Sequence, residues 1–195
     1  MRQNENALCI HDGCFRGVKE ITPPIFEDYR GSYSETFNDV LYRELAYPDV
    51  SSLRFVQDDI SKSFRGVLRG IHGDEKTWKL VQCLKGAIQT VLVDCREGSM
   101  TLHQWHSYIL SDANRLQLLI PPGIGNSTLT LTEDSIYHYK QSSYYGGMSS
   151  QFTIAWDDPN LDILWAIDDP IVSKRDSEVE NDILPTVKVV YDSAT

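Results

Sequence analysis

Between Gly66 and Val81 the chain reads GVLRGIHGDEKTWKLV, and this stretch holds side chains suited to proton transfer. His72 is its one imidazole, Arg69 stands just before it, and Lys79 opens the apolar run that follows. An imidazole, with an unperturbed pKa of about 6.5, takes and returns a proton near neutrality. Cations on either side along the chain suit an anionic substrate. A half-exposed strand histidine with no chemical task has the same local pattern, so the rest of the chain must decide between the two.

A second group lies at Ile136-Tyr-His-Tyr-Lys140, followed by Tyr144 and Tyr145. On a strand, Tyr137 and Tyr139 share one face and His138 takes the other. A phenol whose oxygen reaches a ligand can act as a general acid, although tyrosine pairs also simply pack sheet edges. Metal chemistry is poorly supported. His103 and His106 form an H-x-x-H pair whose members fall on opposite faces of a strand, and position 74, where a second histidine would pair with His72, is Asp. No serine sits in a G-x-S-x-G elbow.

These residues need a scaffold. A chain of 195 residues with 41% hydrophobic and 24% charged residues supports a single domain with a sizeable core, spanning 1–195. The formal net charge of −10 argues against a nucleic-acid partner. An acidic protein can hold a phosphorylated ligand only by clustering a few cations locally. Cys9, Cys14, Cys83 and Cys95 have no metal-type spacing. Free thiols in a reducing compartment are expected, with a disulfide left open. No apolar run has the length of a signal peptide or a membrane span, so a cytoplasmic protein with no membrane partner is expected.

Residues 1–20 show no clear period and read as a loosely docked arm. Pro23 and Pro24 keep Ile21–Ile25 from forming a central strand. Phe26–Glu35 reads as a hairpin bending at Gly31, and Phe37–Tyr47 as a short helix capped by Asn38. Short β-rich runs then follow at Leu53–Ile60, Gly66–Ile71, Trp78–Leu84, Ala87–Asp94, Gln104–Leu110, Arg115–Ile120, Ser127–Leu131, Ser135–Lys140 and Gln151–Trp156. Strands in such number without helical patterns between them predict an all-β antiparallel sandwich or jelly roll. A short helix is expected near Ser177–Leu184, within a C-terminal tail of 177–195.

Several of these segments, in this order and spacing, resemble the nucleotide-sugar 3,5-epimerases typified by dTDP-4-dehydrorhamnose 3,5-epimerase. They are Asp28-Tyr-Arg-Gly31 with Glu35, Phe55-Val-Gln-Asp-Asp-Ile-Ser61, Gly66-Val-Leu-Arg-Gly-Ile-His72, Lys79-Leu-Val81, Val93-Asp-Cys-Arg96 with Gly98-Ser99, Ile120-Pro-Pro-Gly123, Tyr139-Lys140, Trp156-Asp157 and Ser173 to Asp176. The resemblance covers roughly residues 20–177. It implies a cupin-type jelly roll with a few short peripheral helices, a homodimer, and no metal or other cofactor. The implied substrate is a 4-keto-6-deoxy sugar on a nucleoside diphosphate. Removing the hydrogen on C3 or C5, on either side of the ketone, gives an enolate, and reprotonation from the opposite face inverts the centre.

By this resemblance His72 is the base, Asp176 its orienting carboxylate, Lys79 the cation over the enolate oxygen and Tyr139 the acid. Arg30 and Arg69 resemble diphosphate-binding arginines, Glu35 and Gln57 residues at the nucleotide end, and Tyr145 a tyrosine beside the sugar. Part of the nucleotide end is expected from the partner subunit. The chain departs from the family pattern where Asn126 replaces a second histidine and Thr90 replaces its aspartate. The paired loss is chemically coherent, because a neutral Asn126–Thr90 pair can still hydrogen-bond and leaves no buried charge unpaired. The segments R-G-I-H-G-D and P-P-G-I-G-N-S resemble a subgroup acting on GDP-4-keto-6-deoxy-heptoses in capsule biosynthesis. A sugar 3,4-ketoisomerase of the same fold and a non-catalytic sugar-nucleotide-binding cupin are the alternative readings.

Overall fold

A computed structural model of the chain describes residues 7–46, 50, 53–179 and 184–189. Thirteen strands and two short helices run through these residues. They are β1 (Cys9–Asp12), β2 (Lys19–Thr22), β3 (Phe26–Asp28), β4 (Gly31–Tyr33), α1 (Asp39–Leu45), β5 (Gln57–Phe64), β6 (Leu68–Gly73), β7 (Lys79–Lys85), β8 (Ala87–Asp94), β9 (Trp105–Ser111), β10 (Gln117–Ile120), β11 (Ile124–Thr130), β12 (Asp134–Gln141), β13 (Phe152–Thr153) and α2 (Lys174–Ser177). A six-stranded sheet in the order β1-β2-β10-β7-β12-β5 faces a five-stranded sheet in the order β13-β6-β11-β8-β9, with β3 and β4 forming a separate hairpin. Every pairing between these strands is antiparallel. The expected all-β jelly roll is the fold.

Period-two alternation divides the side chains among three apolar clusters. Val81, Cys83, Ile88, Leu92, Leu118, Ile124 and Tyr137 point between the sheets and form the central core. The opposite face of the large sheet carries Ile21, Leu80 and Leu119, covered by Tyr42 and Ala46 at α1. The outer face of the small sheet carries Ile71, Val91 and Val93, covered by Ile154 and Leu161 from the C-terminal chain. A sheet buried on both faces explains the near-continuous apolar runs of β8 and β10.

The first twenty residues depart from the expected loose arm. β1 and β2 belong to the large sheet, and Phe15 and Val18 are buried in the central core. Their sequence is too short and polar to announce a strand, and pairing of β2 with β10, and of β1 with β2, supplies what local propensity does not. Ile21 does lie in an interior strand, and that strand stops at Thr22, one residue before Pro23. The hairpin and the Asn38 cap occur as expected, with the Asn38 side chain accepting from the Leu41 N–H; Tyr47 lies outside the described residues. Strand ends shift by a few residues. β5 starts at Gln57 and runs to Phe64, and β11 starts at Ile124, so Asn126, just outside the expected Ser127–Leu131 strand, lies on a strand. A short helix lies at Lys174–Ser177, started by Ser173 and Asp176 as a capping pair in the S-x-x-D pattern; of the helix expected near Ser177–Leu184, residues 180–183 lie outside the described residues.

Candidate active site

Where the sandwich opens beyond its apolar core, the two sheets line a cavity of about 1000 Å³, at the upper end of the roughly 300–1,000 Å³ typical of small-molecule sites. The large sheet contributes Gln57, Asp59 and Ser61 from β5, Lys79 from β7, and Tyr137, Tyr139 and Gln141 from β12. The small sheet contributes Arg69 and His72 from β6 and Asn126 to Thr128 from β11. Asp176 and Arg175, on α2, close one side.

The register of β6 and β11 places His72 directly opposite Asn126, and a bulge follows between Asn126 and Thr128. Two glycines make this close approach possible. Gly70 has φ of +111°, and a Cβ there would lie 2.7 Å from the Asn126 carbonyl oxygen. A Cβ on Gly73 would lie 2.3 Å from the Phe152 ring. Any larger residue at either position would push β6 away from its neighbours and move the imidazole.

His72 Nε2 lies 2.7 Å from Asp176 Oδ1. Asp176 is 4% exposed, and Ser173 Oγ donates to its other oxygen at 2.9 Å. Burial pushes this carboxyl up, but hydrogen bonding and charge from His72, the Ser173 hydroxyl and the Gly70 N–H more than reverse that and hold it low. An ionised carboxylate therefore grips one ring nitrogen of a residue that lines the cavity, and among the described residues Nδ1 has no hydrogen-bond partner.

Lys79 is 8% exposed. Its Nζ donates to Asn126 Oδ1 at 3.2 Å, and among the described residues no carboxylate lies within ion-pair distance. Burial lowers its pKa, the charge of Asp74 offsets part of that, and Arg175 adds to the lowering. Tyr139 faces the cavity from the sheet opposite to His72, on β12 between β7 and β5, so the tyrosine pair lies inside the sheet and not at its edge. Burial and then the Asp59 charge push its phenol up, and Arg69 pulls the other way. Arg69 Nε donates to Ser63 Oγ at 3.0 Å.

Eight of the ten expected site residues thus line one cavity: His72, Lys79, Tyr139, Asp176, Gln57, Arg69, Asn126 and Tyr145. Arg30 and Glu35 do not. Arg30 lies on the β3–β4 hairpin, outside both main sheets, and is paired with Asp28 at 2.5 Å; Glu35 is exposed just beyond. Asn126 and Thr90, which could have bonded to each other, do not. The Asn126 amide is engaged by Lys79 and by Tyr137 Oη at 3.4 Å, while Thr90 Oγ1 is buried without a partner among the described residues. Among the other cavity residues, Tyr137 is read in the sequence only as sharing a face with Tyr139, and Gln141, Asp59 and Arg175 are not singled out there at all. The first three share strand parity with recognised residues. Tyr137 and Gln141 flank Tyr139 at two-residue steps, and Asp59 follows Gln57 and accepts from both Gln57 and Gln141.

Comparison with known proteins agrees with this geometry. Residues 14–181 match the family model for dTDP-4-dehydrorhamnose 3,5-epimerase. The chain is 38% identical over 165 residues to the dTDP-4-dehydrorhamnose 3,5-epimerase of Methanothermobacter thermautotrophicus, covering 82% of this chain and 86% of that one. It is 36% identical over 157 residues to the Shigella flexneri enzyme, covering 79% and 84%. Among solved structures, dTDP-6-deoxy-D-glucose-3,5-epimerase from Legionella pneumophila, bound to dTDP-4-keto-L-rhamnose, superposes with a TM-score of 0.83 at 34% identity, over 94% of this chain and 100% of that one. A 3'-monoepimerase from Streptomyces bikiniensis, bound to dTDP-quinovose, superposes with a TM-score of 0.81 at 30% identity, over 90% and 86%.

Proposed function

Because the chain belongs to the dTDP-4-dehydrorhamnose 3,5-epimerase family, we propose that it inverts C3, C5 or both in a nucleoside-diphosphate 4-keto-6-deoxy sugar. His72 removes the proton next to the ketone through Nδ1, and Asp176, bonded to Nε2, steadies the imidazolium that results. Lys79 faces the oxygen on which the enolate charge develops. Tyr139, on the opposite sheet, returns a proton to the other face and so inverts the centre. Arg69 and Arg175 supply the positive charge that a diphosphate needs in an acidic protein. The observation that carries this reading is the His72–Asp176 pair facing Tyr139 across one cavity.

The relatives compared above carry dTDP in their names, so a dTDP-4-keto-6-deoxyhexose is the substrate to try first. The reading toward a GDP-heptose rests on the segments around His72 and Asn126, which face each other across β6 and β11. Those segments lie beside the base and bear on the sugar more than on the nucleotide. A second copy of the chain would bring Arg30 and Glu35 to the nucleotide end; the exposed Phe26, Tyr29 and Tyr33 of the same hairpin support such a contact.

The test is incubation with dTDP- and GDP-linked 4-keto-6-deoxy sugars in deuterated water. Deuterium should enter at C3, C5 or both, and the His72→Ala variant should lose that exchange by about 10³-fold or more. Absence of exchange at both carbons with every substrate would sink the proposal. Tyr139→Phe separates the neighbouring chemistry. A 3,4-ketoisomerase moves its proton on one face and should keep most of its turnover, whereas an epimerase should lose net inversion.

A further inference from the structure

Lys79, Asn126 and Tyr137 form a hydrogen-bonded row along the cavity wall, and its polarity runs one way. Lys79 donates to the Asn126 carbonyl oxygen at 3.2 Å, and the Asn126 amide nitrogen donates to Tyr137 Oη at 3.4 Å. The phenol oxygen has accepted a bond, so its own hydrogen is still available, and among the described residues it meets no acceptor. Tyr137 lines the cavity although its residue is only 7% exposed.

The ring alone has an ordinary role, since it packs in the central core and lies 5.4 Å from the Tyr139 ring. A phenylalanine would fill that space equally well. It would also avoid burying a hydroxyl, which is unfavourable unless the group finds a full set of partners. Successive bonds in a chain polarise one another, so a row that starts at a buried lysine makes its last hydrogen a stronger donor.

Resting on the enolate reading above, we propose that Tyr137 is a further catalytic residue, its O–H donating to the C4 oxygen of the sugar as that oxygen becomes an enolate. Asn126 is then a positioning residue that sets Lys79 and Tyr137 on either side of that oxygen. The Asn126 amide occupies the place opposite His72, which a second ionisable group would fill in a different solution to the same problem. Burial pushes the Tyr137 phenol well above its usual range, so it stays protonated and donates without giving up its proton. Its role is distinct from that of Tyr139, which delivers a proton to carbon.

This division has a kinetic signature. C3 and C5 share one ketone, so weakening a donor to its oxygen slows proton removal at both carbons by the same factor. Tyr137→Phe should lower kcat about 100-fold, the order found for loss of one oxyanion donor, with KM little changed and deuterium washout slowed equally wherever the wild type exchanges. In an Asn126→Leu background, which keeps the side-chain volume and breaks the row, the same substitution should cost less than about threefold, because coupled residues are non-additive. Asn126→Leu alone leaves the core ring in place and should itself lower kcat by a similar order, so the row stays testable if Tyr137→Phe melts at the assay temperature. An unchanged kcat, a raised KM with unchanged kcat, or slowing at one carbon of two overturns the inference. If the wild type exchanges no hydrogen at either carbon, the enolate reading itself has failed.

Discussion

Two buried charges in this molecule are treated in opposite ways. Asp94, at the end of β8 and fully buried, accepts from the Arg96 backbone N–H, from Arg96 Nε and Nη2, and from the hydroxyls of Ser99 and Thr101, all between 2.6 and 3.0 Å. Lys79, almost as deeply buried, has one neutral amide oxygen and no carboxylate among the described residues. A carboxylate with every lone pair engaged has nothing left for a ligand, and its bonds fix the turn after β8. A buried cation with bonding capacity to spare is held ready for a negative charge that the protein does not supply. Incomplete satisfaction, more than burial, marks the chemistry.

Removing the well-satisfied charge should have the largest effect on stability. Asp94→Asn leaves the Arg96 guanidinium buried against a neutral amide, and breaking such a pair typically costs about 3–5 kcal/mol. Denaturant melts should register that loss, while activity per folded molecule stays near wild type. The acid limb sharpens the comparison. Burial pushes Asp94 up, and the bonds from Arg96, Thr101 and Ser99 more than reverse it, to about 2. A folded pKa below the unfolded one, roughly 3.9 for Asp, means stability that is present above pH 4 to 5 and lost as pH falls toward 2, about 2.6 kcal/mol for a gap of this size. Asp176 shifts in the same direction. Asp94→Asn should therefore flatten most of the fall in melting temperature between pH 5 and pH 2; an unchanged acid limb would break the argument.

Removing the under-satisfied charge should do the reverse. Lys79→Met keeps the apolar stem and deletes a group whose pKa burial has lowered, so its charged form is disfavoured in the folded state. The variant should lose about 10²–10³ in kcat and gain melting temperature at neutral pH, the exchange between stability and function expected at an active site. Raising the pH toward the unfolded lysine value of about 10.4 should narrow the gap between the two proteins, because the wild type sheds the same charge first in its folded state. A melting temperature below wild type would mean that Lys79 is already well partnered without substrate.

Much of this was legible in the sequence because strands write their two faces as alternation. That is how Tyr137 and Tyr139 are read as facing one way and His138 the other, while β-rich runs between turn residues reveal all of the thirteen strands but β1 and β2, within a few residues of their ends. Contacts between sheets are not written so. Nothing in the spacing links His72 to Asp176, 104 residues away; that pairing comes from resemblance, and the geometry supplies the distance. β1 and β2 are hidden because their stability lies in pairing, β2 with β10 and β1 with β2, and not in their own residues. Asn126 falls just outside the strand expected from the sequence because Gly123 and Gly125 flank Ile124, while the ladder with β6 and β8 carries it into a strand. The row from Lys79 to Tyr137 could be seen only once β7, β11 and β12 stood side by side across two sheets.

Thr90 offers the smallest and most local test of the same contrast. Its hydroxyl is fully buried and among the described residues has no partner, on a strand whose neighbours Ile88 and Leu92 face the central core. Leaving a buried hydroxyl unsatisfied costs about 1–3 kcal/mol, whereas an apolar group of the same shape carries no such penalty. If the position serves only the core, Thr90→Val should raise stability by about 1 kcal/mol, or about 2–4 °C in a domain of this size, with turnover unchanged. That outcome would separate it from Lys79, where relieving an unsatisfied group removes activity. A loss of turnover in Thr90→Val would instead tie Thr90 to Asn126 and extend the polar row one strand deeper into the small sheet.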